Sequence, residues 1–400
     1  MKLPYYNEQT ICLIEFTLCA GIGPVMGRYL LQYFGTPEAI FRSSIAGLQE
    51  ISGLRSNQIQ SIINGANCAQ AKAIMLQHES LNILCITLLD TAYPYRLREF
   101  ADAPLVLFYK GQLEWNAKRV IGVVGTRKPT PAGRAMVVQM IADLQEMDVV
   151  VVSGMAYGID VIAHETAVDC KIPTWAVLAN GLEKIYPSAH QAFAKKMLAE
   201  KGGLISEFPA YTVINPNFFP RRNRIVAGLC DALLIIESGI RGGSMITASI
   251  AHGYSRDVFA IPGRPIDKNA EGCNFLIQKN MASLCVSAQD IVERMNWDLF
   301  EKFAKPEIDN RRESAEVDKG NTLPPPKKTL KQVELFESLS PTEKQVMEWI
   351  VSGNDNTNTM VRQQKCSSTA ISVALLELEL KGLIAAVPGN QYQIISAFYP

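Results

Sequence analysis

Between residues 81 and 300, short apolar runs alternate with stretches of helical periodicity, and most of the runs end in glycine, serine, threonine or proline. This alternation dictates a mainly parallel sheet, because strands that repeat one direction need a crossover and a helix supplies it compactly. The runs fall at residues 120–124, 148–152, 174–178, 203–207, 232–237 and 258–261. In an open sheet of this kind the turns after the strands gather on the carboxyl edge, where such folds hold ligands. The expected fold is therefore α/β, an extended Rossmann-like parallel sheet.

The turns carry the chemistry. After the first run come Gly125, Thr126, Arg127 and Lys128, with Gly133 entering a helix. Backbone N–H groups and a helix dipole there favour an anion, and two cations strengthen the preference. The pattern is not G-x-G-x-x-G and no acidic ribose ligand follows at the usual spacing, so nicotinamide dinucleotide binding is disfavoured. Ser153 and Gly154 open the second turn, and Gly243 and Ser244 form an anion nest at another helix start. Phe218, Phe219, Arg221, Arg222, Asn223 and Arg224 make the densest cluster. Guanidinium forks clamp phosphates while aromatic rings stack bases, which suits a single strand. A solvated helix start over buried phenylalanines is the equal alternative. His164 reads as a helix-packing histidine, with no nucleophile beside it to activate.

Lys plus Arg equals Asp plus Glu at 39 each, so a polyanion site must come from local clustering. Nine scattered cysteines without a C-x-x-C pair, and four histidines, argue for reduced thiols in the cytoplasm and against a bound metal. No signal peptide and no membrane span are expected.

Three further regions flank the sheet. Residues 1–80 read as a helical domain of the sterile-alpha-motif or helix-hairpin-helix type, with glycine turns at Gly21-Ile22-Gly23-Pro24 and Ile51-Ser52-Gly53-Leu54. Few Lys or Arg flank either turn, which favours a small bundle using the glycines only as caps over a phosphate-binding role. Residues 303–337 are charged, aperiodic and contain Pro324, Pro325 and Pro326, the signature of a flexible linker. Residues 338–400 read as a winged helix, with Ser340 and Glu343 at capping-box spacing and a hairpin around Pro388-Gly389-Asn390. Glu377 and Glu379 on its second helix weaken a major-groove role and leave protein interaction open.

Gly125-Thr126-Arg127, Ser153-Gly154-x-Ala156-x-Gly158-Ile159-Asp160, Ser206-Glu207-Phe208-Pro209, Phe219-Pro220-x-Arg222-Asn223-Arg224-Ile225, Gly243-Ser244-x-Ile246-Thr247-Ala248 and Ala260-Ile261-Pro262-Gly263 together resemble the DNA-processing protein A (DprA/Smf) family. The resemblance is dense over about residues 85 to 290. Ala179, His190, the Gly239-Ile240-Arg241-Gly242 approach and Met281-Ala282 depart from the family's usual residues. The resemblance implies a cytoplasmic, non-enzymatic protein of natural transformation and DNA recombination. Such a protein binds and protects single-stranded DNA, loads the recombinase RecA, and forms a homodimer through the Rossmann-like domain. It also implies binding at Arg127, Phe219, Arg222, Asn223, Arg224 and the Gly243-Ser244 nest, to which chemistry adds Arg221. No cofactor is expected. Two other readings compete: a nucleotide phosphoribohydrolase-type enzyme using Glu207 or Glu237, and an interaction scaffold working through the winged helix.

Overall fold

The computed structural model describes residues 7–65, 68–297, 340–351, 368–381, 383–387 and 391–394. The expected linker at 303–337 and the hairpin turn at 388–390 lie outside them. Two compact units are present, residues 1–307 and 308–400.

The first unit opens with six helices, α1 (Glu8–Leu18), α2 (Pro24–Phe34), α3 (Pro37–Arg42), α4 (Ile45–Gln49), α5 (Ser56–Asn64) and α6 (Ala69–Ser80). The two glycine turns end up tied together: Gln58 accepts a hydrogen bond from the Arg55 N–H at 2.7 Å and donates one to the Gly21 carbonyl at 2.6 Å. Their left-handed glycines, Gly21 and Gly53, serve as chain reversals. These helices share one apolar core with a face of the sheet, through Leu105, Val106 and Phe108.

The sheet has nine strands: β1 (Leu84–Thr87), β2 (Val106–Gly111), β3 (Arg119–Gly125), β4 (Val149–Ser153), β5 (Thr174–Val177), β6 (Gly203–Ser206), β7 (Ala232–Ile236), β8 (Asp257–Ala260) and β9 (Ser283–Leu284). Their order is β1-β2-β6-β5-β4-β3-β7-β8-β9. Pairing is parallel from β6 across to β9 and antiparallel at β1 and β2. Several strand ends move by one residue from expectation: β4 starts and ends one residue later, and β5, β6 and β7 each stop one residue earlier. At two of these ends, Asp148 before β4 and Glu237 after β7, the backbone is left-handed. Alternation along the strands divides the side chains cleanly. Ile121, Val123 and Val151 face one core; Val120, Val124, Val150 and Val152 face the other.

After the short α7 (Tyr95–Arg98), α8 (Pro131–Asp143), α9 (Ile159–Asp169), α10 (Gln191–Ala199) and α14 (Ala288–Arg294) lie on the first face. On the second lie α11 (Phe218–Leu229), α12 (Gly243–Gly253) and α13 (Glu271–Gln278). A buried ion pair pins the lead-in segment to the sheet: Arg96 grips Asp231 at 2.6 and 2.9 Å, and Asp231 also accepts from the Val120 N–H.

His164 is fully buried on α9. Thr174 donates its hydroxyl proton to the Val151 carbonyl, so it accepts from His164 Nδ1–H at 2.7 Å and places the ring proton on Nδ1. Burial pushes this imidazole down to about 3. His78, on α6, accepts from the Ala210 N–H at 2.9 Å, and burial pushes it down to about 4. Both folded values lie below the ordinary 6.5, so the unfolded chain binds protons that the native state refuses. Their stabilisation is complete above pH 6.5 and is lost as pH falls towards 4 and 3. Between pH 6.5 and 5 each histidine is expected to remove roughly 2 kcal/mol. Urea midpoints measured at pH 7 and pH 5 check this, and equal midpoints would refute it.

In the second unit, α15 (Pro341–Val351) and α16 (Ser368–Leu380) pack on the antiparallel pair β10 (Ile384–Val387) and β11 (Gln391–Ile394). The capping box at the start of α15 is formed in both directions between Ser340 and Glu343. The exposed residues of α16 include Val373, Leu376, Glu377 and Glu379, which are apolar or acidic.

Candidate functional site

The chain runs outward from β3 through β4 and β5 to β6, then returns to β7 on the opposite side of β3. Loops leaving β3 and β7 therefore diverge to opposite faces and open a crevice at the carboxyl edge. A hollow of about 310 Å³ occupies this switch point. Nine of the residues expected from sequence line it: Gly125, Thr126, Arg127, Gly154, Phe219, Arg222, Asn223, Gly243 and Ser244. Lys128, Ser153, Arg221 and Arg224 are not among its walls.

The turn after β3 is held from two sides. Thr126 donates its N–H to the Glu237 carbonyl at 2.7 Å, and its own carbonyl accepts from the Ile159 N–H at 3.1 Å. Gly158, at φ +83°, allows this approach, since a Cβ there would stand 2.3 Å from the Thr126 oxygen. Arg127 is thus presented on a fixed turn. It is exposed, and among the described residues its guanidinium makes no ion pair or hydrogen bond. Opposite it begins α12, whose first N–H groups have no acceptors within the helix. Ser244 is buried and its hydroxyl lies 2.7 Å from that of Ser238.

The arginine cluster divides by helical phase. Positions 221, 222 and 224 fall in the first two turns of α11, where each residue rotates by about 100°. Arg222 turns inward beneath the hollow and donates Nη1 to the Gly154 and Val177 carbonyls. Arg224 is buried between the Glu207 carboxylate and the Asp102 carbonyl. Arg221 is half-exposed, 3.5 Å from Glu207 and over the Phe208 and Phe218 rings. The expectation that these guanidinium groups clamp phosphates is therefore corrected for two of them, because Arg222 is engaged by two buried carbonyls and Arg224 by Glu207 and the Asp102 carbonyl. Ser153 is corrected likewise: it is the last residue of β4, points into the core, and donates to the Val123 carbonyl at 2.6 Å. Lys128 is exposed on the turn beside the hollow's wall.

Phe219 is partly exposed at the rim, its ring edge-on to Tyr186 at 5.8 Å. Tyr186 is an aromatic surface that the sequence reading passed over. Ser238 and Asp160 were also missed as lining residues, although Asp160 sits inside a motif. Burial pushes the Asp160 carboxyl above the ordinary range, and the nearby Arg222 charge pulls it back. Among the described residues, Asp160 is the one acidic residue lining the hollow.

The two carboxylates at strand ends are engaged elsewhere. Glu207 holds Arg224, and Glu237 accepts from the Thr130 N–H at 2.8 Å and from its hydroxyl, which fastens the start of α8. Neither lines the hollow. Among the described residues no group of three or more His, Cys, Asp or Glu is placed to hold a metal ion. No described helix is long and apolar enough to cross a membrane.

Residues 84–296 match the family model of DNA recombination-mediator protein A, and residues 334–390 match the DprA winged-helix domain. Protein Smf of Synechocystis is 30% identical over 396 residues, covering 97% of this chain and 99% of that protein. DNA processing protein DprA of Streptococcus pneumoniae is 39% identical over 211 residues, covering 53% of this chain and 74% of that protein. The X-ray structure of DprA from Streptococcus pneumoniae superposes with a TM-score of 0.62 at 32% identity, covering 71% of this chain and 97% of that one.

Proposed function

The chain belongs to the DNA recombination-mediator protein A family, DprA/Smf, with its winged-helix domain, and from that premise we propose that it binds single-stranded DNA in the hollow at the switch point of the sheet. The carrying observation is one juxtaposition: the unengaged Arg127, the N-terminal turn of α12 and the half-open ring of Phe219 line one small cavity. A cation and free amides suit phosphate, and an aromatic edge suits a splayed base. A cavity of about 310 Å³ has room for about one nucleotide.

On this reading the protein protects DNA strands taken up in natural transformation and loads RecA onto them in the cytoplasm, acting as a homodimer through the sheet domain. The same reading assigns residues 1–80 to a helical domain, 81–300 to the strand-binding domain, 303–337 to a linker and 338–400 to a winged helix. With α16 exposing apolar and acidic side chains, the winged helix suits a protein partner better than a DNA groove. A nucleotide-hydrolysing role finds less support, because Glu207 and Glu237 are both spent on structure.

The test is a mobility-shift assay at about 150 mM salt, roughly physiological. Oligothymidylate is expected to bind well ahead of the matching duplex, with affinity falling steeply as salt rises. Equal affinity for the two forms would refute the proposal. Truncation to residues 1–337 is expected to preserve strand binding.

A further inference from the structure

The hollow continues beyond its lip. Gly242 and Ile246 also line a second, shallow depression of about 450 Å³, walled by Ile240, Arg241, Met245 and Ile250. The divide between the two is formed by Gly242, which has no side chain, and the Ile246 side chain. Ile240 and Ile246 are 52% and 43% exposed and form an apolar ledge. Arg241 is exposed, and among the described residues its guanidinium makes no hydrogen bond or ion pair. Among the described residues, no acidic one lines the depression.

We propose that this ledge is a second nucleotide subsite, in which the next base of the bound strand lies against Ile240 and Ile246 while Arg241 holds its phosphate. The inference rests on reading the hollow as a single-strand site. Continuity selects the occupant: a strand leaving the hollow over Gly242 meets an apolar wall and then a free cation. A base face needs flat apolar contact and a phosphate needs a donor fork, and the ledge offers both within one helix start. A folded protein partner would instead want a broader apolar patch with a polar rim.

Two variants separate the contributions, each read as oligothymidylate affinity across a salt series. Arg241→Ala is expected to weaken binding several-fold and to shrink the log–log salt slope by about 0.7, the value for one phosphate contact on a single strand. Ile240→Ser with Ile246→Ser is expected to weaken binding roughly fivefold through lost apolar contact, with the slope unchanged. All three side chains are exposed, so thermal melts should match wild type. Normal dependence on Arg127 with wild-type affinity in either ledge variant overturns the subsite alone. Wild-type protein that ignores oligothymidylate, or an Arg127→Ala variant that binds it normally, overturns the underlying reading of the hollow.

Discussion

Arg127→Ala is expected to lower affinity for a short oligothymidylate by roughly one to two orders of magnitude and to leave the melting temperature near wild type. The size follows from a charge-assisted hydrogen bond to phosphate, worth about 1.5–3 kcal/mol, made inside a partly desolvated cavity. The selectivity follows from position. The turn is fixed through the Thr126 backbone and Gly158, and the Arg127 guanidinium has no partner within the described structure to lose. Its removal therefore takes away a ligand contact and nothing from the native packing. The salt slope should fall by about 0.7 as one contact is lost. A variant that melts normally and binds normally would remove Arg127 from the site.

Most of the fold is legible in the sequence because period and turn chemistry agree. The six apolar runs from 120 to 261 become β3 to β8, and strict alternation sorts Val150 from Val151 onto opposite cores. Two of the ends that move by a residue, Asp148 and Glu237, are in left-handed backbone, which no hydrophobic pattern reports. The site was legible where it depends on turns: Gly125 to Arg127 and Gly243-Ser244 are local features that stay where the chain puts them. It was not legible where it depends on rotation. Arg221, Arg222 and Arg224 look like one basic patch, yet helical phase leaves Arg221 half-exposed beside Glu207, turns Arg222 under the sheet edge and buries Arg224 against Glu207. Whether a guanidinium is free or consumed depends on carbonyls distant in sequence, at Gly154, Val177 and Asp102.

The same geometry predicts that the neighbouring arginine behaves oppositely. Arg222→Ala is expected to destabilise the first unit by about 3–5 kcal/mol, the usual cost of stripping one partner from a buried charged network. Two buried carbonyls, of Gly154 and Val177, lose their donor, and the buried Asp160 loses the positive charge that offsets its desolvation. Gly154 marks how close this fit is, since a Cβ there would stand 2.1 Å from Nη1 of Arg222. Strand binding should then decline because Gly154 and the turn after β4 shift. Arg222→Lys restores the charge but reaches fewer carbonyls and should recover only part of the stability. Urea denaturation together with oligothymidylate titration separates the cases. Stability near wild type with binding abolished would mean that Arg222 meets the strand directly, whereas lost stability with residual binding in the folded fraction fits an arginine that builds the wall of the hollow from behind.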